Sequence, residues 1–197
     1  MEKRMAAPRI CGIAGGVLFA GLAAYNLYLY ILLVLNVGAP LNVLTLLTIA
    51  ESAAIGVLAL LDKRGRLLET VAWVEAIHGF VSMVLVALSL FGASMINSVA
   101  LALIFSGLLG GAASVVLAAV LIIGSCRQGQ VRWLRKICFL PALMLVGSAA
   151  VSFAAAGVEA LSIVLVAVQA VSAWLVCYWV SAPVYRPQPD AENTVQF

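Results

Sequence analysis

Three ionisable side chains lie deep inside stretches of sequence that are otherwise almost entirely apolar. They are Glu51 and, within the segment VAWVEAIHGF at 71–80, Glu75 and the only histidine, His78. Glu75 and His78 are three residues apart, so on a helix their side chains share one face. A carboxyl group beside an imidazole can pass protons or bind a cation. These residues are therefore the candidates for chemistry.

A charge at the centre of a bilayer costs about 2.5–3.5 kcal/mol, so such side chains should face other helices, pair or be neutral. At about 1.5 Å per residue, Glu51 lies roughly 15 Å, Glu75 about 12 Å and His78 about 16 Å from one membrane face. Gln169 is expected at a comparable depth and completes the candidate cluster. Two interpretations are open: a proton or cation relay, or a hydrogen-bonded cluster that sets helix register and contributes about 1 kcal/mol.

The spacing ExxH also occurs in di-iron carboxylate proteins, which need two such motifs and two further glutamates. Here one copy is present, with one additional glutamate at membrane depth. The sequence therefore predicts no metal centre and no cofactor. It also contains no second histidine, no GxSxG motif and no intramembrane Asp pair, so we do not expect an enzyme.

Composition indicates a membrane protein. Of the 197 residues, 65% are hydrophobic and 10% charged, and the mean hydropathy is +1.17. Soluble domains are about half apolar and a quarter charged. Three apolar blocks are each long enough for two crossings of about 20 residues, and turn-forming residues interrupt each block near its middle. We predict an all-α protein with six transmembrane helices in three hairpins, at approximately 10–35, 41–61, 67–90, 98–123, 137–156 and 160–183 of a membrane domain at 10–185.

The basic residues predict the orientation of these helices. With six crossings, all eleven fall on one side: Lys3, Arg4, Arg9, Lys63, Arg64, Arg66, Arg127, Arg132, Arg135, Lys136 and Arg186. The positive-inside rule makes that side cytoplasmic, together with both termini, the segment 1–9 and a polar, disordered tail at 186–197. The formal charge of +3 thus describes one membrane face, and nucleic acid is not an expected partner. A plasma membrane, an endomembrane and a bacterial inner membrane fit equally.

The N-terminus also has features of a signal peptide. Residues 1–24 combine a basic start, an apolar middle and small residues near Ala23 and Ala24. However, the apolar run continues through YNLYLYILLVL and is long enough to stay in the membrane. We therefore expect a retained first helix. Cleavage would leave five helices and an external N-terminus.

Cysteines and tryptophans lie near the predicted cytoplasmic face. Thiols there stay reduced, and juxtamembrane Cys11 and Cys126 are the candidates for lipidation. The alternative is that they pack as small apolar residues. Trp73, Trp133 and Trp179 lie toward the same face, where indole rings anchor a protein at the headgroup level.

Small residues recur four apart on the predicted helices, which lets helix backbones approach closely in lipid. The pairs are Gly12 and Gly16, Ser52 and Gly56, Gly107 and Gly111, and Ser148 and Ser152. We expect these faces to pack the bundle internally. The alternative is a homo-oligomer or association with other membrane proteins.

The function that these patterns favour is a non-enzymatic multi-pass membrane protein that organises the bilayer or partner helices, or assists trafficking. The alternative is a small proton- or cation-coupled transporter or channel that uses Glu51, Glu75 and His78. The carboxyl terminus adds a candidate recognition motif, because Val195 and Phe197 form a hydrophobic–x–hydrophobic end that can pair with the sheet edge of a PDZ-type domain.

Overall fold

The computed structural model of the protein describes residues 2–38, 40–92, 97–127 and 133–183, and the secondary structure within these ranges is helical, without a strand. The helices are α1 (Glu2–Val37), α2 (Val43–Leu60), α3 (Arg66–Gly92), α4 (Ser98–Arg127), α5 (Leu134–Ile137), α6 (Leu140–Ala156) and α7 (Ala160–Ser181).

Six segments are long and apolar enough to cross a bilayer: Ala7–Val37, Val43–Leu60, Arg66–Leu90, Ser98–Cys126, Leu134–Ala156 and Ala160–Ser181. Their length and composition confirm the prediction of an all-α protein with six membrane-spanning helices. The fifth segment consists of the single turn α5 followed by α6, and Pro141 lies in the first turn of α6. Proline is tolerated there because its missing N–H has no helical partner in any case.

Local sequence explains where several helices begin and end. The Asn42 side chain accepts hydrogen bonds from two backbone N–H groups in the first turn of α2, and the Asn97 side chain accepts one at the start of α4. Asparagine is among the best residues for this capping role. Gly157 ends α6 with a φ of 91°, a conformation that glycine adopts without steric cost. The turn-forming residues seen in the sequence thus separate consecutive helices.

Two pairs of helices cross at glycines. A Cβ atom added to Gly56 of α2 would lie 2.9 Å from the carbonyl oxygen of Gly16 in α1. A Cβ atom added to Gly79 of α3 would likewise lie 2.9 Å from the carbonyl oxygen of Gly111 in α4. The backbones of α1 and α2, and of α3 and α4, therefore touch directly, which strengthens dispersion contacts between helices in lipid.

The main buried core occupies one half of the bundle, the half that contains the α2–α3 connection. Fully or almost fully buried residues there come from α2, α3, α4 and α7, and include Ile55, Leu68, Leu121 and Trp179. At the opposite end of α1 and α2, the buried apolar residues are few: Ala23, Tyr30 and Ile49. One half of the bundle is thus tightly packed and the other is more open.

Candidate functional site

The candidate site lies midway along α2 and α3. Glu51 is on α2, His78 is on α3, and the Nδ1 atom of His78 is 2.8 Å from the Oε2 atom of Glu51. The Glu51 side chain is only 3% exposed and that of His78 is 11% exposed. The two side chains therefore form a polar contact between neighbouring helices at a level that is otherwise apolar.

Glu75 completes a cluster of three residues. It is buried, and one ligand-type atom from each of Glu51, Glu75 and His78 lies within 4.8 Å of the others. The Glu75 carboxyl group also faces Ser114 of α4. We call Glu51, Glu75 and His78 the central polar cluster. Three helices contribute to it: Glu75 and His78 share a face of α3, α2 supplies Glu51, and α4 supplies the Ser114 hydroxyl group.

One oxygen atom of this cluster has no hydrogen-bond partner. Oε2 of Glu51 contacts His78, whereas Oε1 is buried and has no described hydrogen-bond donor; the Glu75 carboxyl group lies within hydrogen-bonding reach of the Glu51 carboxyl group. A buried carboxylate oxygen without a donor is costly, because it has lost its hydration and gained nothing in exchange. This oxygen is therefore the place where an additional positive charge or donor would be most stabilising.

A cleft lies beside the cluster in the more open half of the bundle. It lies between α1 and α2, has a volume of about 570 Å³, and its lining includes the polar side chains of Asn26, Tyr30, Thr45 and Thr48. The hydroxyl oxygen of Thr48 is 3.5 Å from the Nε2 atom of His78. Thr48 thus connects the cleft to the imidazole.

The tightly packed core closes the other side of the cluster. Ile55 follows Glu51 by one turn on α2, and Ala72 precedes Glu75 by one turn on α3, so each shares a face with its acidic neighbour. Ile55 is 1% exposed and Ala72 is completely buried. The cluster therefore borders the cleft through Thr48 and is closed toward the α2–α3 connection.

The other residues that the sequence singled out lie elsewhere. Gln169 is exposed on α7, where its backbone carbonyl accepts a hydrogen bond from the Ser172 hydroxyl and no described hydrogen bond involves its side chain. Cys11 is half-buried on α1, and Cys126 is exposed near the end of α4. The C-terminal pair Val195 and Phe197, and the tail at 186–197, lie outside the described residues.

A second polar cluster, which the sequence did not suggest, lies at the α2–α3 connection. The Trp179 indole N–H donates to Asp62 with a distance of 2.7 Å, and Arg64 donates to the backbone oxygen of Ala182 and lies over the Trp179 ring. Burial lowers the pKa of the Arg64 guanidinium, and nearby Asp62 partly offsets that effect. Trp179 is fully buried rather than placed as an interface anchor. This cluster joins α7 to the α2–α3 connection, and these contacts indicate a structural role.

The small residues predicted to pack the bundle lie at internal helix contacts. Gly12 faces Trp179, and Gly107 faces Val86. The hydroxyl of Ser106 on α4 lies 3.0 Å from that of Ser148 and 2.6 Å from that of Ser152, both on α6. These contacts explain the four-residue spacing without a second protein chain.

Comparison of the chain with protein-family models, with curated proteins and with solved structures finds no match.

Proposed function

We propose that this protein is a small, non-enzymatic transporter or channel that binds cations, either protons or metal ions, at Glu51, Glu75 and His78. The observation that supports the proposal most directly is the 2.8 Å contact between Glu51 and His78, with Glu75 beside it, halfway along two helices of membrane-spanning length. Ionisable residues at such a position commonly mark ion pathways.

Charge balance supports cation binding. With both carboxyl groups ionised and the imidazole neutral, the cluster carries a charge of −2. The described ion pairs place no lysine or arginine against it, and the one pair of that kind joins Arg64 to Asp62 at the α2–α3 connection. Uncompensated buried charge is strongly unfavourable, so the cluster needs cations to be stable in a dry environment.

The surroundings of the cluster fit a site that opens to one side at a time. The cleft between α1 and α2 provides a polar approach through Thr48, while the core around Ile55 blocks the opposite direction. Passage across the membrane would require α2 and α3 to separate around the core. Such rocking of helix pairs about a central site is a common basis of alternating access.

We further propose that the helices form three hairpins with both termini in the cytoplasm, following the distribution of basic residues. The cleft then opens toward the external side. Single cysteines at Lys63 and at Pro40, introduced into a variant without native cysteines, test this with a membrane-impermeant thiol reagent on intact cells. Labelling at position 40 alone supports the topology, and labelling at position 63 alone contradicts it.

Purified protein in liposomes tests the transport proposal. Proton flux is followed with a trapped pH dye and metal flux with a trapped chelating dye, for the wild-type protein, Glu51→Gln and His78→Ala. We expect both variants to lose most of the flux. Glu159→Gln is the matched control, because Glu159 is exposed at the start of α7 and far along the chain from the cluster. Equal flux in all four proteins, or none in the wild type, would contradict the proposal.

A membrane-organising or trafficking role is the second candidate, and one observation favours it. α2 packs mainly on α1 and α3 mainly on α4, so the Glu51–His78 contact joins two helix pairs that otherwise touch little. A hydrogen-bonded link of that kind can be purely structural. In that case Glu51→Gln and His78→Ala lower thermal stability, while liposomes containing wild-type protein show no flux.

A further inference from the structure

We infer that the central polar cluster is a mononuclear site for a first-row divalent transition metal ion, with Glu51, Glu75 and His78 as its protein ligands. This inference rests on the proposed cation-binding function and names the class of cation. The sequence alone predicted no metal centre, because a single ExxH motif is insufficient for a di-iron centre and the distances that join Glu51 to Glu75 and His78 appear only in the structure.

The donor set favours this class of metal. One imidazole nitrogen and two carboxylate oxygens suit Mn²⁺, Fe²⁺, Co²⁺ and Zn²⁺, whereas Mg²⁺ and Ca²⁺ prefer oxygen ligands alone. The charge of the site is also appropriate, since two carboxylates and a neutral imidazole neutralise one divalent ion completely. A monovalent ion would leave a net negative charge in an apolar region, which is unfavourable.

The distances agree with a shared ion. Ligand atoms about 2.1 Å from one metal are separated by about 3.0–3.4 Å at right or tetrahedral angles. Nδ1 of His78 and Oε2 of Glu51 are 2.8 Å apart, and all three ligand-type atoms lie within 4.8 Å of one another. Side-chain rotations that move the third ligand atom by less than about 2 Å therefore bring it to a coordinating distance.

The Thr48 hydroxyl supports this coordination geometry. The Thr48 hydroxyl donates its proton to the backbone oxygen of Leu44, so toward Nε2 of His78 it can act only as an acceptor. The 2.8 Å contact between Nδ1 and Oε2 of Glu51 requires a proton on one of these two atoms, and a bound metal ion would displace that proton. An Nε2–H group directed at Thr48 would then leave the lone pair of Nδ1 pointing at the ion. Most metal-binding histidines donate their second ring N–H group to a carboxylate, a backbone carbonyl or water, and the Thr48 hydroxyl would take that place here.

The unpartnered oxygen is a separate indication of a ligand. Glu51 is 3% exposed, its Oε1 atom has no hydrogen-bond partner within the described part of the chain, and the side chain points into the cluster. A metal ion bound by this carboxylate would satisfy the oxygen. The cleft at Thr48 would provide the path of entry and room for water ligands.

Metal binding to the purified full-length protein tests the inference. After chelator treatment, Co²⁺ is added to protein in lipid nanodiscs, and its visible absorption spectrum and stoichiometry are recorded. Zn²⁺ affinity is then measured by competition. We expect one ion per chain, no displacement by Mg²⁺ in excess, and at least about a 100-fold loss of affinity in Glu51→Gln, Glu75→Gln and His78→Ala, because loss of a supporting partner alone costs about 10–100-fold. Glu159→Gln is the control and should bind normally.

The outcomes separate this inference from the proposed function. Absence of saturable binding, or equal binding by the cluster variants and Glu159→Gln, overturns the metal site. If proton flux is then still lost in Glu51→Gln, the transport proposal stands alone. Specific metal binding without any flux supports the metal site and contradicts transport. Circular dichroism and size-exclusion chromatography establish that each variant is folded, and Glu75→Gln gives an independent test if His78→Ala is not.

Discussion

Gly79 is the residue at which a single added carbon atom should disturb both the fold and the candidate site. In the Gly79→Ala variant the new Cβ would lie 2.9 Å from the carbonyl oxygen of Gly111 and 2.9 Å from the Cβ of Ser114, both on α4. Carbon atoms in good contact are about 3.5–4.0 Å apart, so roughly 0.6 Å or more is missing. Because Gly111 contributes a backbone atom, α3 and α4 must separate.

The expected cost follows from these distances. Overpacking of a well-packed region costs about 1–3 kcal/mol, and the higher helix propensity of alanine returns up to about 1 kcal/mol. The net destabilisation should be about 1–2 kcal/mol. At about 2–4 °C per kcal/mol for a chain of this size, the melting temperature should fall by about 2–8 °C. Separation also moves Ser114 away from Glu75, so metal affinity should fall about 10-fold.

Thermal unfolding in detergent, followed by fluorescence-detected size-exclusion chromatography, measures the stability change. Gly21→Ala is the control, since the Cβ that this substitution adds to α1 has no described atom within 4 Å apart from its chain neighbours and the backbone of its own helix. We expect its melting temperature to stay the same or rise slightly. Equal unfolding temperatures for Gly79→Ala and Gly21→Ala would show that the α3–α4 crossing can accept a Cβ atom at position 79 without loss of stability.

Three further substitutions test contacts that position the helices. Trp179→Phe removes the indole N–H that donates to Asp62, and should destabilise the protein by about 2 kcal/mol in chemical denaturation, because hydrogen bonds to charged groups contribute about 1.5–3 kcal/mol. Asn42→Ala removes the cap of α2 at a cost of about 1 kcal/mol, and hydrogen exchange should become faster in the first turn of that helix. Ser106→Ala breaks the hydroxyl contacts with α6 and should lower the melting temperature by only about 2 °C, since such bonds contribute about 0.6 kcal/mol in membrane proteins. A fall of about 8 °C, the upper end of the range expected for Gly79→Ala, would contradict this estimate.

The depth of Glu51 and His78 could be predicted because helices have a fixed rise. Both residues are separated from the α2–α3 connection by a similar number of residues, so two antiparallel helices bring them to the same level. The structure places them 2.8 Å apart. The number of residues from the connection does not say how each helix is rotated about its axis, and so it does not predict that the two side chains face each other. That rotation depends on which faces the close crossings at Gly56 and Gly79 turn toward the interior.

Because helix rotation could not be predicted from the sequence, the surroundings of two residues, Gln169 and Trp179, differ in the structure from those expected. Gln169 has a suitable depth, but the rotation of α7 leaves it exposed, and hydropathy carries little information about rotation when every face is apolar. Trp179 was interpreted as an interface anchor because indoles favour that level. It is instead fully buried in the main core, and its indole N–H donates to Asp62, which adopts a φ of 51° in the connection. A signal existed in the neighbouring Asp62 and Arg64, which pair with each other.

The arrangement of close crossings suggests why the polar residues lie between α2 and α3. The pairs α1–α2 and α3–α4 are each held backbone to backbone at glycines, so neither pair can shift internally without losing dense contacts. The boundary between the pairs has less packing to lose, and Glu51 and His78 lie across it. A cation held by ligands from both sides would therefore favour the state in which the two pairs are together. The free energy of this preference equals the difference between the binding free energies of the cation for the joined and the separated state. The two carboxylates without a cation would favour separation, which would couple occupancy of the site to the relative position of the two helix pairs.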